Sequence, residues 1–308
     1  MTHMDSKTPS ENQDPIREQA NEFAAKYDAD ILLYNGALER DYDRRIIELC
    51  TRRRRRANVA LFLTTQGGDA AVAYRIARCL EDQYSKFTLV VSGYCKSAGT
   101  ILAIGANEIV MTDNGEFGPL DVQLAKDDEL WQSNSGLNIQ DALNNLQTRA
   151  FRMFEDTFLA LTTKSQGRIT TKTASHIACE LTIGLFGRIY QQIDPVNLGE
   201  MCRAMKVAKD YGDRLQARSK NLRKDAIYEL TAGYSDHGFV IDRDEASKLF
   251  LNIRNPNADE LKLVELLGAL AQHPVSGNEP AFDFLCDEII EEPVGRDTPE
   301  PSETSHHE

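Results

Sequence analysis

Two stretches of the chain place glycines and small residues in a pattern that suits acyl chemistry. LFLTTQGGDAAVA (61–73) runs an apolar segment into Gly67-Gly68-Asp69 and then into helical spacing. LVVSGYCKSAGTILAIGA (89–106) repeats the design, with Ser97 opening a small-residue helix and Ala98-Gly99 behind it. Adjacent glycines let main-chain amides face outward with no Cβ in the way. A helix N-terminus adds unpaired N–H groups and partial positive charge. Such corners suit a developing oxyanion, and Ser97 sets a hydroxyl beside its own helix amides. Singly, each pattern also reads as plain structure, a glycine turn or a serine N-cap. Two such strand-to-helix corners, with Gly68 standing 29 positions before Ser97, are far more specific and point to a serine hydrolase.

The elements that must carry these corners alternate. Helical spacing starts at Pro15 and runs to about residue 27, with proline at a first-turn position. A short strand over 31–34 closes at Asn35-Gly36, and a helix is expected over 41–53. NVALFLTT (58–65) reads as a strand buried on both faces, followed by a helix over 70–80. FTLVVSG (87–93), a helix over 97–106 and a strand over 108–112 repeat the unit, so the fold class is α/β with a parallel core. Residues 122–138 are polar and irregular. Helices are expected over 139–163, 173–181, 197–222, 226–232, 243–251 and 261–272.

TTQGGDAAVAYRIARCL resembles the "SPGG" strand-turn-helix of Clp proteolytic subunits and signal peptide peptidases. GYCKSAGTILAIGANEIVMTDNGEFGPLD is similar to their nucleophile helix and the strand after it. The serine dehydrogenase proteinase family resembles the chain most, through its SAGT…GPLD segment and a later stretch like YSDHGFVIDRDEASKLFLNI. The resemblance implies the ClpP/crotonase-like spiral of parallel βαβ units with additional C-terminal helices. It implies Ser97 as nucleophile, the Gly68 and Ala98 amides as oxyanion donors, and a shelf for an extended substrate along 67–71 and the segment after Gly115, including Gly67, Gly68, Asp69, Gly118 and Pro119.

The proton acceptor is less legible. Clp-type enzymes carry a His on the strand after the nucleophile helix, but GEFGPLDVQL here has none. Signal peptide peptidases use a Lys beyond that strand, which singles out Lys126, although Asp127, Asp128 and Glu129 beside it favour its charged form. The Clp pattern sets its acid near 234–236, which brings Asp236 and His237 near the site and makes His237 a second candidate base. Lys164 is a more distant option, and the Lys96 side chain should diverge from Ser97. Asp121 either orients a base or caps the GPLD turn.

Composition narrows the class. The net charge is −13, but 279–308 holds ten acids against one Arg, so the remainder is only mildly acidic and nucleic acid is not the expected ligand. No apolar run reaches membrane-spanning length, the first residues lack a signal-like apolar stretch, and six scattered cysteines fit reduced thiols, so a cytoplasmic location is expected. No metal or cofactor motif appears. The expected organisation is a disordered 1–14, a core over 15–195, a helical extension over 196–275 and an acidic, mostly disordered tail over 276–308. Apolar stripes on the long helices suggest a homo-oligomer acting on protein or peptide substrates. Arg52–Arg56 read as a solvated helix end or an acidic-partner surface. The rival functions are a catalytically inactive peptide-binding scaffold of the same fold and a crotonase-like acyl-CoA enzyme.

Overall fold

A computed structural model describes residues 15–120, 123–125, 133–236, 238–275 and 279–286. The chain opens with α1 (Pro15–Tyr27) and β1 (Ala29–Asn35), then α2 (Tyr42–Arg53), β2 (Asn58–Thr64), α3 (Ala70–Gln83) and β3 (Lys86–Val91). β4 (Tyr94–Cys95), α4 (Ala98–Ile104), β5 (Glu108–Met111) and β6 (Glu116–Phe117) complete the repeats. The hairpin strands β7 (Gln123–Ala125) and β8 (Ser133–Ser135) lead into the long helices α5 (Gly136–Lys164), α6 (Thr171–Tyr190) and α7 (Pro195–Ser219). Then come α8 (Ala226–Tyr228) with a π turn (Glu229–Gly233), α9 (Arg243–Leu249), β9 (Ile253–Arg254), α10 (Ala258–Leu267), α11 (Ala269–Gln272) and β10 (Ala281–Phe284).

The central sheet has the order β10-β1-β2-β3-β5-β9. β1, β2, β3, β5 and β9 are parallel neighbours, and β10 closes one edge antiparallel to β1. β1 is buried along its whole length and β2 from its second residue on, as their near-continuous apolar runs require of strands covered on both faces. Each main strand then bends into a second, narrower layer. That layer is a ladder: Leu38 bridges Gly68, Thr65 bridges Cys95, Tyr94 and Cys95 pair with Glu116 and Phe117, and Phe117 bridges Ile241. A strand in the wide sheet, a step in the narrow one and a helix back make one turn of the α/β spiral that the sequence leads one to expect. Ser97 sits just past the β4 step and Gly68 on the step before it.

Elements beyond the repeats are tied into this body. Asn35, fully buried in β1, donates to the Leu270 and His273 carbonyls and accepts from the Val275 amide. Arg254 of β9 clasps Glu260 at 2.8 Å through both terminal nitrogens and reaches Glu108 on β5. α6 extends nine residues past the expected 181, and the expected single helix over 261–272 is two, broken at Gly268 (φ 53°).

Candidate active site

The glycine corner is fixed from both sides. Gly67 and Gly68 have φ of 118° and 139°, a backbone region that disfavours side chains. A Cβ on Gly67 would lie 2.9 Å from the Ser97 Cβ, and one on Gly68 would lie 2.3 Å from the Leu38 carbonyl oxygen. The two corners therefore meet, with no room for a side chain between them. The Thr65 hydroxyl accepts from the Gly67 amide at 3.0 Å, and the Thr65 methyl packs where Gly99 lacks a Cβ.

Parallel pairing sets the direction of the next amide. Leu38 donates to the Gly67 carbonyl and accepts from the Asp69 amide, so the Gly68 N–H and C=O point to the opposite edge. That edge borders a cleft of about 590 Å³, lined among others by Gly68, Ser97, Ala98, Ile101, Leu120 and Val207. Ala98 is the first residue of α4, where an N–H has no intrahelical acceptor. Among the described residues, neither the Gly68 nor the Ala98 amide donates to a backbone carbonyl outside regular helices and strands.

Ser97 has φ 50° and ψ −110°, and its side chain makes no cap hydrogen bond. The serine N-cap reading is thus not realised. A non-glycine residue held at such angles costs on the order of 1–3 kcal/mol. From Cys95 to Ala106 every residue is buried except Ser97, which is partly exposed at the cleft. Behind it, Lys96 is buried and turned away, as its side chain was expected to be. Its ammonium pairs with Glu116 at 3.2 Å and donates to the Phe117 and Phe239 carbonyls. Thr100 donates to the Gly118 carbonyl at 2.8 Å, tying α4 to the GPLD turn.

The other expected site residues divide. Asp69 borders the cleft, but its carboxylate caps α3 through the Ala71 amide at 2.7 Å and meets Arg40 at 3.2 Å. Gly118 and Pro119 are buried, and Leu120 lines the cleft after them. Lys164 is exposed at the end of α5 and does not line the cleft. Lys126, His237 and Asp121 lie outside the described residues. Asp236 is exposed and accepts from the Gly238 amide. Its segment runs beside the site, because Phe117 pairs with Ile241 and the Phe239 carbonyl reaches Lys96.

Sequence reasoning missed the far wall. Glu200, Arg203, Ala204, Val207 and Ala208 of α7 face Ser97 across the cleft. Their spacing puts them on one helical stripe, a signal readable in the sequence once the partner surface is known. α7 is held along α3 by stacking of Tyr211 on Tyr74, centroids 4.5 Å apart, and by Arg218 on Glu81 and Asp82. Burial pushes the Glu81 carboxyl up to about 7 against the opposing pull of Arg218. The titratable groups lining the cleft among the described residues are Asp69, Glu200 and Arg203, and no group of metal-ligating side chains gathers among them.

Residues 41–192, just under half of the chain, match the profile of the ClpP-like SDH-type serine proteinases. Over this segment the chain is similar to that family. Both glycine corners, Ser97 and the long helix α5 fall within the match. The match agrees with the mixed α/β fold and parallel-dominated sheet and points, at the level of the family, to serine peptidases. Two uncharacterized proteins of Methanocaldococcus jannaschii, MJ1495 and MJ0137, are each 34% identical over 68 residues. The match spans 22% of this chain and about a quarter of each relative, 23% and 24%. A solved structure of a mutant 1510-N membrane-bound stomatin-specific protease aligns at a TM-score of 0.30 and 17% identity, over 48% of this chain and 67% of that one. No helix among the described residues is long and apolar enough to cross a membrane.

Proposed function

We propose that the protein cleaves peptide bonds through an acyl-enzyme on Ser97, with the Gly68 and Ala98 amides holding the oxyanion. The observation that carries this reading is a partly exposed serine, uncapped and at strained angles, opening on a cleft that Gly68 and Ala98 also line. In this reading the hydroxyl attacks the scissile carbonyl, and the two amides take up the charge that grows on its oxygen. The unused N–H and C=O edge of Gly68 receives the substrate backbone as an added strand, and α7 covers it from the other side. Water then releases the acyl group. The proton passes to an atypical base, Lys126 or His237, with Asp121 or Asp236 as its orienter. Lys164, exposed and absent from the cleft lining, is the weaker candidate.

The same reading gives the enzyme no metal or cofactor and a cytoplasmic setting. It makes the protein a homo-oligomer that buries apolar side chains left open on α5 and α6, among them Phe151, Leu159, Ile183 and Leu185. Light scattering tests the last point.

The test of function is a fluorophosphonate probe with casein hydrolysis alongside. Wild-type protein labels and cleaves, and Ser97→Ala does neither. A wild-type chain that binds casein without labelling turns the reading toward a peptide-binding scaffold. Calorimetric binding of an acyl-CoA without peptidase activity turns it toward crotonase-like chemistry.

A further inference from the structure

Ser97 stands at strained angles, and its own side chain makes no cap bond that would hold it there. The residue before it is pinned at both main-chain groups, along its stem and at its tip. The Lys96 amide donates to the Thr65 carbonyl at 3.0 Å, just ahead of the glycine corner, and its carbonyl accepts from the Gly99 amide of α4 at 2.8 Å. Its stem lies against Gly118, where a Cβ would come within 2.9 Å of the Lys96 Cδ. Its buried ammonium has three protons and three acceptors: the Glu116 carboxylate at 3.2 Å, the Phe117 carbonyl at 3.3 Å and the Phe239 carbonyl at 3.4 Å. The segment that carries Phe239 is itself fastened to β6. The Phe117 amide donates to the Ile241 carbonyl at 2.9 Å, and the Ile241 amide returns the bond at 3.1 Å. An ammonium so placed has no second position to move to, because leaving its acceptors would strand a charge away from water. Strained backbone persists only where its surroundings over-determine it. The buried helix α4 fixes Ser97 from the Ala98 side, and Lys96 fixes it from the other.

We propose that Lys96 is a positioning residue that holds Ser97 in its strained conformation, so that the hydroxyl and the Ala98 amide face one point of the cleft, an assignment that rests on the acyl-enzyme reading. The ammonium is turned from the cleft and neither takes nor gives the serine proton. With the tip released, the peptide between Lys96 and Ser97 can turn, Ser97 relaxes toward negative φ, and hydroxyl and donor move apart. The Gly68 edge and the α7 wall, which grip the substrate in that reading, lie outside the Lys96 contacts. The loss therefore falls on the chemical step and not on binding.

The experiment uses the full chain carrying Lys96→Met together with Glu116→Gln, which leaves no carboxylate unpaired. Fluorophosphonate labelling and casein hydrolysis are followed well below the melting midpoint. Labelling rate and kcat should both fall about 10- to 100-fold, with KM within about twofold of wild type. Glu116→Gln alone keeps an acceptor for the ammonium and should label within about threefold of wild type. Hydrogen exchange at the Gly99 amide, which donates to the Lys96 carbonyl, should quicken about tenfold in the double variant. Should that variant not fold, Lys96→Gln with Glu116→Gln replaces it, a shorter polar side chain that loses the reach, and the same losses are expected. A folded variant that labels within about twofold of wild type, or that raises KM with kcat unchanged, overturns the assignment. A wild-type chain that never labels refutes the acyl-enzyme reading, and the Gly99 exchange then decides for Lys96: quickened if it holds the corner, unchanged if it does not.

Discussion

Replacing Gly67 by alanine tests how tightly the two corners are joined. The added Cβ would stand 2.9 Å from the Ser97 Cβ, 3.2 Å from the Lys96 carbonyl oxygen and 3.4 Å from the Ala98 amide nitrogen. Lys96 cannot retreat, because its side chain is buried against Glu116 and two carbonyls. Relief must come from Ser97 and Ala98, which have to shift by about half an ångström or more to reach ordinary contact. The φ of 118° adds strain of about 1–2 kcal/mol for any side chain. With overpacking, the total is about 2–4 kcal/mol, or a fall in melting temperature of roughly 5–10 °C. A displaced hydroxyl and donor should slow the acylation step about 10- to 100-fold. The assay is the rate of fluorophosphonate labelling well below the lowered midpoint, with melting followed separately. Gly184→Ala is the control: it sits in α6 with nothing within 4 Å of a new Cβ and should leave labelling unchanged. A Gly67→Ala protein that labels within twofold of wild type would refute the claim that Gly67 abuts the nucleophile.

Three further outcomes follow from the same geometry. The Glu81 carboxyl is raised by burial to about 7, so its contribution to stability is fully present below about pH 4.5 and is lost as pH rises through about 7. Glu81→Gln should therefore stabilise the protein by about 2 kcal/mol at pH 8 and by little at pH 5, measured by urea melts at the two values. Lys96→Met strands the Glu116 carboxylate and two carbonyls, and should cost about 3 kcal/mol in the same melts. Tyr211→Ala removes the stack that holds α7 over the cleft, costing about 2 kcal/mol. In casein hydrolysis it should raise KM more than it lowers kcat.

The parts of the fold that were legible are those whose burial is written locally. β2 is apolar at nearly every position because both faces are covered, and α3 shows one apolar stripe because only one is. β4 and β6 have two residues each, too few for any periodicity, and they exist through the ladder that pairs them. β10 was hidden by acidic surroundings, yet Phe282 and Phe284 pair with β1 and stack under Arg45 and Arg53. Those contacts also absorb part of the Arg52–Arg56 run: Arg53 meets Asp283 at 2.8 Å and Arg54 lies over Tyr84. The Gly68 and Ser97 corners were readable because each carries its own backbone chemistry. The α7 wall was not, since nothing in residues 200–208 records which surface they face.

The most direct measurement is a crystal structure of the protein after phosphonylation by the probe. Phosphorus should be bonded to the Ser97 oxygen, with the phosphonyl oxygen within about 3.1 Å of both the Gly68 and Ala98 nitrogens. A phosphonyl oxygen turned toward solvent, or an adduct on any other residue, would contradict the acyl-enzyme reading.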